Sequence, residues 1–173
     1  MELPPARLPG MDNEMNQTNK AGGTVFLASD HAGFPLKEAV KLYLQKLGLE
    51  VMDLGPENNA PANWAEFGAR GAAAVAQDPV NRRAILICGS GIGMSIVANK
   101  FPRVRGALCH NAAAAAMSRH HNDANVLCMG ARVISEKAAM DIVHTWLHTE
   151  FDGGRHQVRL DYLHDMVESR NFR

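Results

Sequence analysis

Three glycines at alternate positions, Gly89, Gly91 and Gly93, follow the thiol of Cys88 in the stretch "AILICGSGIG". An apolar run that ends this way offers one reactive side chain beside a turn of bare backbone. Three familiar uses of such a turn fail on spacing. A dinucleotide fingerprint needs G-x-G-x-x-G after a first strand, with an acid about twenty residues on; here the spacing is G-x-G-x-G. A phosphate-binding P-loop needs G-K-[ST], which does not occur. A nucleophile elbow needs G-x-S-x-G, and the residue two before Ser90 is Cys88. What remains is a set of backbone N–H groups at the start of a helix, where negative charge is favoured. Cys88 is therefore placed to act as a base or nucleophile beside a nest of donors for an oxyanion. The plain alternative is a core cysteine in a tight strand-to-helix turn.

Other residues carry weaker signals. "SDHAG" puts Asp30 and His31 just after an apolar run, as substrate contacts or as a helix cap beside a surface histidine. "SRHHNDAN" holds two adjacent histidines, His120 and His121, which cannot face the same way on a helix. Neither they nor Cys109-His110 form a zinc pattern, so no metal is expected. "GGRHQVRLDYL" places Arg155 and Arg159 four apart on one helix face. Cations at a helix N-terminus oppose its dipole unless an anion sits there, so this pair reads as a phosphate clamp. Arg132, in "MGARVI", is expected as a third cation at the same rim. A thiol, a donor nest, histidines and arginines suit a phosphorylated small molecule undergoing proton transfer.

These groups need a frame, and the chain alternates two kinds of segment. Apolar runs rich in β-branched residues read as strands: "TVFLAS", "EVMDL", "RAILIC", "RGALCH" and "NVLCMG". Between them lie helical periods: "FPLKEAVKLYLQKLG", "WAEFGARGAAAVAQ" (weakened by two glycines), "GIGMSIVANK", "NAAAAAMSRHH" and "SEKAAMDIVHTWLHT". A last helix is expected from Arg155 to Glu168. Five apolar strands separated by helices imply an α/β fold with a parallel sheet covered on both faces. Ligands of such sheets bind beyond the carboxyl ends of the strands, which is where Cys88 and Asp30 fall.

Composition narrows the partners. Eighteen basic and eighteen acidic residues cancel, giving no electrostatic case for nucleic acid or a membrane surface. No apolar run is long enough to span a bilayer. Residues 1–23 are polar, with no apolar core of a secretory signal, and are expected to form a mobile tail before one domain over 24–173. Three cysteines with no C-x-x-C pair suit a reducing cytoplasm, and Cys109 and Cys128 read as small core residues.

"SDHAGFPLKE", "ILICGSGIGMSIVANK", "RHHNDANVLCMGARVI" and "FDGGRHQVRL" closely resemble the type B ribose-5-phosphate isomerase family, which includes galactose- and allose-6-phosphate isomerases. The resemblance runs from about Thr24 to the C-terminus. It implies a three-layer Rossmann-like fold with strand order 2-1-3-5-4 and a C-terminal helix reaching a partner subunit. It implies a homodimer, sometimes paired into a tetramer, whose sites draw on both subunits. By the matching motifs, Cys88 moves a proton between C1 and C2, with Ser90 assisting at the substrate oxygens. The backbone of Gly89, Gly91, Ile92 and Gly93 holds the enediolate. His121 helps open the sugar ring beside Asn122. Asp30 and His31 contact the substrate, and Arg132, Arg155 and Arg159 hold the phosphate, with no cofactor. One departure stands out. Where the family commonly has Asp-Tyr-Pro, this chain has Asn63-Trp64-Ala65, which bears on the choice of sugar. Allose or galactose 6-phosphate are the alternative substrates. A non-catalytic sugar-phosphate binding module and a nucleotide-binding oxidoreductase are the rivals from other classes.

Overall fold

The computed structural model describes residues 24–169; the expected N-terminal tail lies outside the described residues. Elements alternate along the chain: β1 (Val25–Ser29), α1 (Phe34–Lys46), β2 (Val51–Asp53), α2 (Trp64–Ala76), β3 (Arg83–Cys88), α3 (Ile92–Ala98), β4 (Gly106–Leu108), α4 (Ala112–Asn122), β5 (Val126–Gly130), α5 (Glu136–His148) and α6 (Arg155–Tyr162). All strand pairs are parallel, in the order β2-β1-β3-β5-β4.

Strand alternation divides the core in two. Ile85 and Ile87 of β3 face a cluster with Leu36, Val40 and Leu44 of α1, Ala115 of α4 and Ile142 and Trp146 of α5. Ala84, Leu86 and Cys88 face the other side, with Ala72 and Val75 of α2 and Met94 and Ala98 of α3. Each fully buried aliphatic side chain here contributes about 1.5–3 kcal/mol. The three inner strands are buried on both faces, hence their unbroken apolar runs.

The outer strands are shorter than their apolar runs. β2 and β4 keep only three residues each, because each lies at a sheet edge with one neighbour to hydrogen-bond. The two glycines of α2 weaken the helix in isolation but are required by its packing. A Cβ on Gly68 would stand 2.4 Å from Val97 Cγ1, and one on Gly71 2.4 Å from Leu86 Cδ2. The last helix is α-helical only to Tyr162; Leu163–Glu168 continue in the wider π winding.

One polar network is built into the frame. Lys37 of α1 is fully buried, and its Nζ donates to both oxygens of Asp53, at 2.6 and 2.8 Å, and to the Pro56 carbonyl at 2.8 Å. Lys41 donates to Asp53 Oδ2 at 2.7 Å. This pins α1 to the end of β2 and to the loop that leads to Trp64. No helix is long and apolar enough to cross a membrane among the described residues.

Candidate active site

β3 ends on Cys88, and the chain turns at once into α3. Gly91 makes that turn with φ of 78°, a left-handed conformation that side chains with a Cβ resist. A Cβ there would also stand 2.5 Å from Leu108 Cδ1 and 2.8 Å from the Met129 carbonyl carbon. The glycine is fixed twice over, by backbone sterics and by the approach of β5. Its amide donates to Cys88 Sγ at 3.1 Å, and the Ile92 amide to Ser90 Oγ at 3.3 Å. The first-turn amides of α3 that follow have no acceptor within the helix. The sulfur and the hydroxyl thus border a short stretch of bare donors.

Burial pushes the thiols of Cys109 and Cys128 upward, that of Cys109 to about 11. Both pack inside the core, as small apolar residues do.

Neighbouring strand ends furnish the walls. The Arg132 amide donates to the Gly89 carbonyl at 2.9 Å, and its side chain lies along Gly89, 3.5–3.7 Å from where a Cβ would be. Asp30 is buried, and its Oδ1 accepts from the Gly33 amide at 2.9 Å; one of its oxygens therefore holds the turn into α1. His31 is exposed, with Nδ1 3.3 Å from both the amide and the carbonyl of Ala62. Trp64 opens α2 behind its cap Asn63. Its indole lies against Gly93, where a Cβ would be 2.7 Å away. Cys88, Ser90, the glycine turn, Asp30, His31, Trp64 and Arg132 form one group at the carboxyl edge of the sheet.

His121, Asn122, Arg155 and Arg159 are not part of that group. The expectation that Arg132 shares a rim with Arg155 and Arg159 fails within a single chain. The reason is topological. A crossover helix runs back against the strands, so the last turn of α4 lies where β5 begins, at the amino edge. β5 has five residues, so its ends are about 13 Å apart. α6 sits at the same amino edge: the Asp152 amide before it donates to the His120 carbonyl at 3.1 Å. Leu160 and His164 line a 270 Å³ cavity with Pro79, Arg103 and Asp123, which precede β3, β4 and β5.

At this second edge the two histidines part as expected. His120 Nδ1 pairs with Asp152 Oδ1 at 2.7 Å. His121 instead stacks on His156, with ring centroids 4.4 Å apart and planes 9° from parallel. His156 is buried; the reading of "GGRHQVRL" weighed only its arginines. Its Nε2 accepts from Arg155 Nε at 3.4 Å, while Nδ1 is buried without a partner. Burial first, then the positive neighbours His121, Arg155 and Arg159, hold the His156 imidazole below the ordinary histidine value, against the pull of Asp152. The Asn122 carbonyl accepts from Arg105 Nε at 3.1 Å, which fixes the end of α4.

His121, Asp152 and His156 bring ligand-type atoms within 4.8 Å of one another, a spacing close to that of a cation site. Parallel rings aim their in-plane lone pairs side by side rather than at one point. Arg155 and Arg159 add positive charge. The cluster suits a proton and an anion better than a metal.

Comparison with known proteins sets these two groups in context. The sequence model of the Ribose/Galactose Isomerase family matches residues 25–163. Ribose-5-phosphate isomerase B of Escherichia coli strain K12 is 40% identical over 142 residues, which cover 82% of this chain and 95% of that protein. The structure of ribose-5-phosphate isomerase B from Clostridium thermocellum superposes with a TM-score of 0.82 at 43% identity, covering 86% of this chain and 99% of the other. That of the Mycoplasma genitalium enzyme, with bound ribulose-5-phosphate, has a TM-score of 0.81 at 34% identity and covers 87% and 97%.

Proposed function

This chain belongs to the ribose/galactose isomerase family and is an aldose–ketose isomerase, and we propose that it interconverts ribose 5-phosphate and ribulose 5-phosphate at sites each completed by two copies of the chain. One observation carries the reading. The thiol with its donor turn and the histidine–arginine group stand at opposite edges of the same sheet, and neither alone suffices for a phosphosugar isomerase. Pairing two copies antiparallel across a twofold axis brings the carboxyl edge of each against the amino edge of the other. Ile92 and Ile96 support this: they lie one turn apart on α3, beside the glycine turn, and each is 53% exposed. α6 carries the clamp to the second copy.

In the assembled site, Arg155 and Arg159 of one copy grip the phosphate, with Arg132 of the other adding charge from the loop side. Fixing the remote end supplies the orientation that proton transfer needs. His121 takes a proton from the anomeric hydroxyl and returns one to the ring oxygen, which opens the sugar. Cys88 of the facing copy then removes the proton on C2. The electron pair left behind forms the C1–C2 double bond and drives charge onto O1. The Gly89–Gly93 amides receive that charge, each such donor being worth about 3 kcal/mol in the transition state. Cys88 returns the proton to C1 as the O2 hydroxyl loses its own, and C2 becomes the carbonyl. Ser90 serves the proton exchange between O1 and O2, while Asn122, Asp30 and His31 orient the sugar. The cycle balances without a redox partner or cofactor.

Residues 24–173 act as one isomerase domain. Three free thiols, Cys88, Cys109 and Cys128, support a cytoplasmic setting. The test is a panel of aldose phosphates of four to six carbons, assayed for ketose formation. Highest kcat/KM on the five-carbon sugar supports the reading. Preference for a six-carbon sugar moves the substrate to allose or galactose 6-phosphate, and no turnover at all leaves a binding protein.

A further inference from the structure

The chemistry above gives His156 no role, though it touches two residues used there, Arg155 and His121. Yet it is one of the most buried polar side chains at the amino edge, 5% exposed, and lies flat against the His121 ring. We propose that His156 is a positioning residue for ring opening: it holds the His121 imidazole face to face, and so leaves His121 alone to exchange a proton with the sugar. This rests on the isomerase reading of the site.

The geometry separates the two rings by role. Two imidazoles stacked 4.4 Å apart cannot both carry a proton at low cost, because like charges at that distance repel strongly in a desolvated setting. One ring must stay neutral, and the surroundings choose which. His156 Nε2 faces the Arg155 guanidinium as an acceptor, so Nδ1 carries its single proton. A second proton would have to displace a cation from Nε2 and be buried. His121 is the more exposed ring. The titratable and charged groups around the pair are His120 on α4, Asp152 on the connecting loop, and Arg155 and Arg159 on α6. Of these, Asp152 is held by His120, Arg155 sits against His156, and Arg159 adds its charge to the same ring's surroundings. The burial and charge that hold His156 below the ordinary value favour its neutral form. A neutral flat ring also fixes the plane in which the His121 nitrogens lie, and a general acid–base group is effective only in a fixed direction.

Ribulose 5-phosphate makes the role testable apart from folding. Its terminal hydroxyl is esterified, so it cannot close to a furanose. Deuterium uptake from heavy water into ribulose 5-phosphate reads proton transfer at Cys88 with no ring to open. Turnover of ribose 5-phosphate, which is cyclic in solution, requires opening. His156→Ala is expected to slow ribose 5-phosphate turnover about tenfold or more, up to the 10²–10⁴ that a general acid–base group supplies in full, while leaving deuterium uptake near the wild-type rate. His156→Phe restores a flat neutral ring, and is expected to recover most of the turnover and to keep the wild-type pH profile of kcat. Equal loss in both assays, or a Phe variant as slow as Ala, overturns the proposal. Wild-type turnover in His156→Ala overturns it too. Should the wild-type protein itself give no deuterium uptake, the isomerase reading fails instead.

Discussion

Cys88 and His121 stand at opposite edges of one sheet: Cys88 closes β3 at the carboxyl edge, and His121 lies in the last turn of α4 where β5 is about to begin. No rearrangement of side chains can join them within one chain. The sheet itself separates them, and any mechanism that uses both must use two copies.

Loss of the thiol is the first expectation. Cys88→Ala removes the base and leaves the donor turn and both arginines, so kcat should fall by about 10³-fold or more while the phosphosugar still binds. Single-turnover assays and calorimetry with ribose 5-phosphate check this together. Near-normal turnover removes Cys88 from its role.

The arginines should behave differently. Arg155→Ala or Arg159→Ala takes away a charge-assisted contact remote from the reacting carbons. KM for the phosphorylated sugar should rise about tenfold or more, with a smaller fall in kcat. The cost should lessen with an unphosphorylated sugar, which offers the clamp nothing to hold. An unchanged KM argues against the clamp.

Much of the fold was legible in the sequence because apolar runs and helical periods alternate without a break. All five strands, six helices and the strand order expected from the resemblance appear. What periodicity could not give was depth along the strand axis. The segments "ILICGSGIG" and "GGRHQVRL" look equally able to face a ligand, yet the first follows a strand and the second follows a helix that has run back. His156 was overlooked for a related reason. A histidine between two arginines reads as one more charge, and only its burial and its stack on His121 set it apart. Trp64 was visible as a departure, but its seat against Gly93 depends on tertiary packing.

That seat leads to a prediction about substrate choice. Trp64 and Gly93 touch, so a methyl on Gly93 must push the indole aside. Gly93→Ala and Trp64→Ala should alter the ratio of kcat/KM between five- and six-carbon aldose phosphates in the same direction. Paired kinetics on both sugars test it, and opposite shifts in the two variants contradict a shared wall.

Acid stability follows from Asp53. Burial works against its charge, but hydrogen bonds from Lys37, Lys41 and the Gly55 amide outweigh it and hold the carboxyl below its ordinary value of 3.8. A carboxylate depressed on folding contributes in full above the unfolded value and loses that contribution as pH falls through the folded one. Asp53→Asn should cost about 3 kcal/mol at neutral pH, since Lys37 stays buried beside a neutral group. The gap to wild type should narrow as pH falls from about 5 to about 2. Denaturant unfolding across that range measures it; a gap that widens toward acid contradicts the sign.

Sharing of sites between copies is tested most directly in a mixed dimer. Cys88→Ala and the double variant Arg155→Ala/Arg159→Ala should each be inactive alone. Co-expressed with different tags and isolated as the mixed dimer, they place both lesions in one site and leave the other intact. The account predicts about half the wild-type activity per dimer. A mixed dimer as inactive as its parents contradicts it.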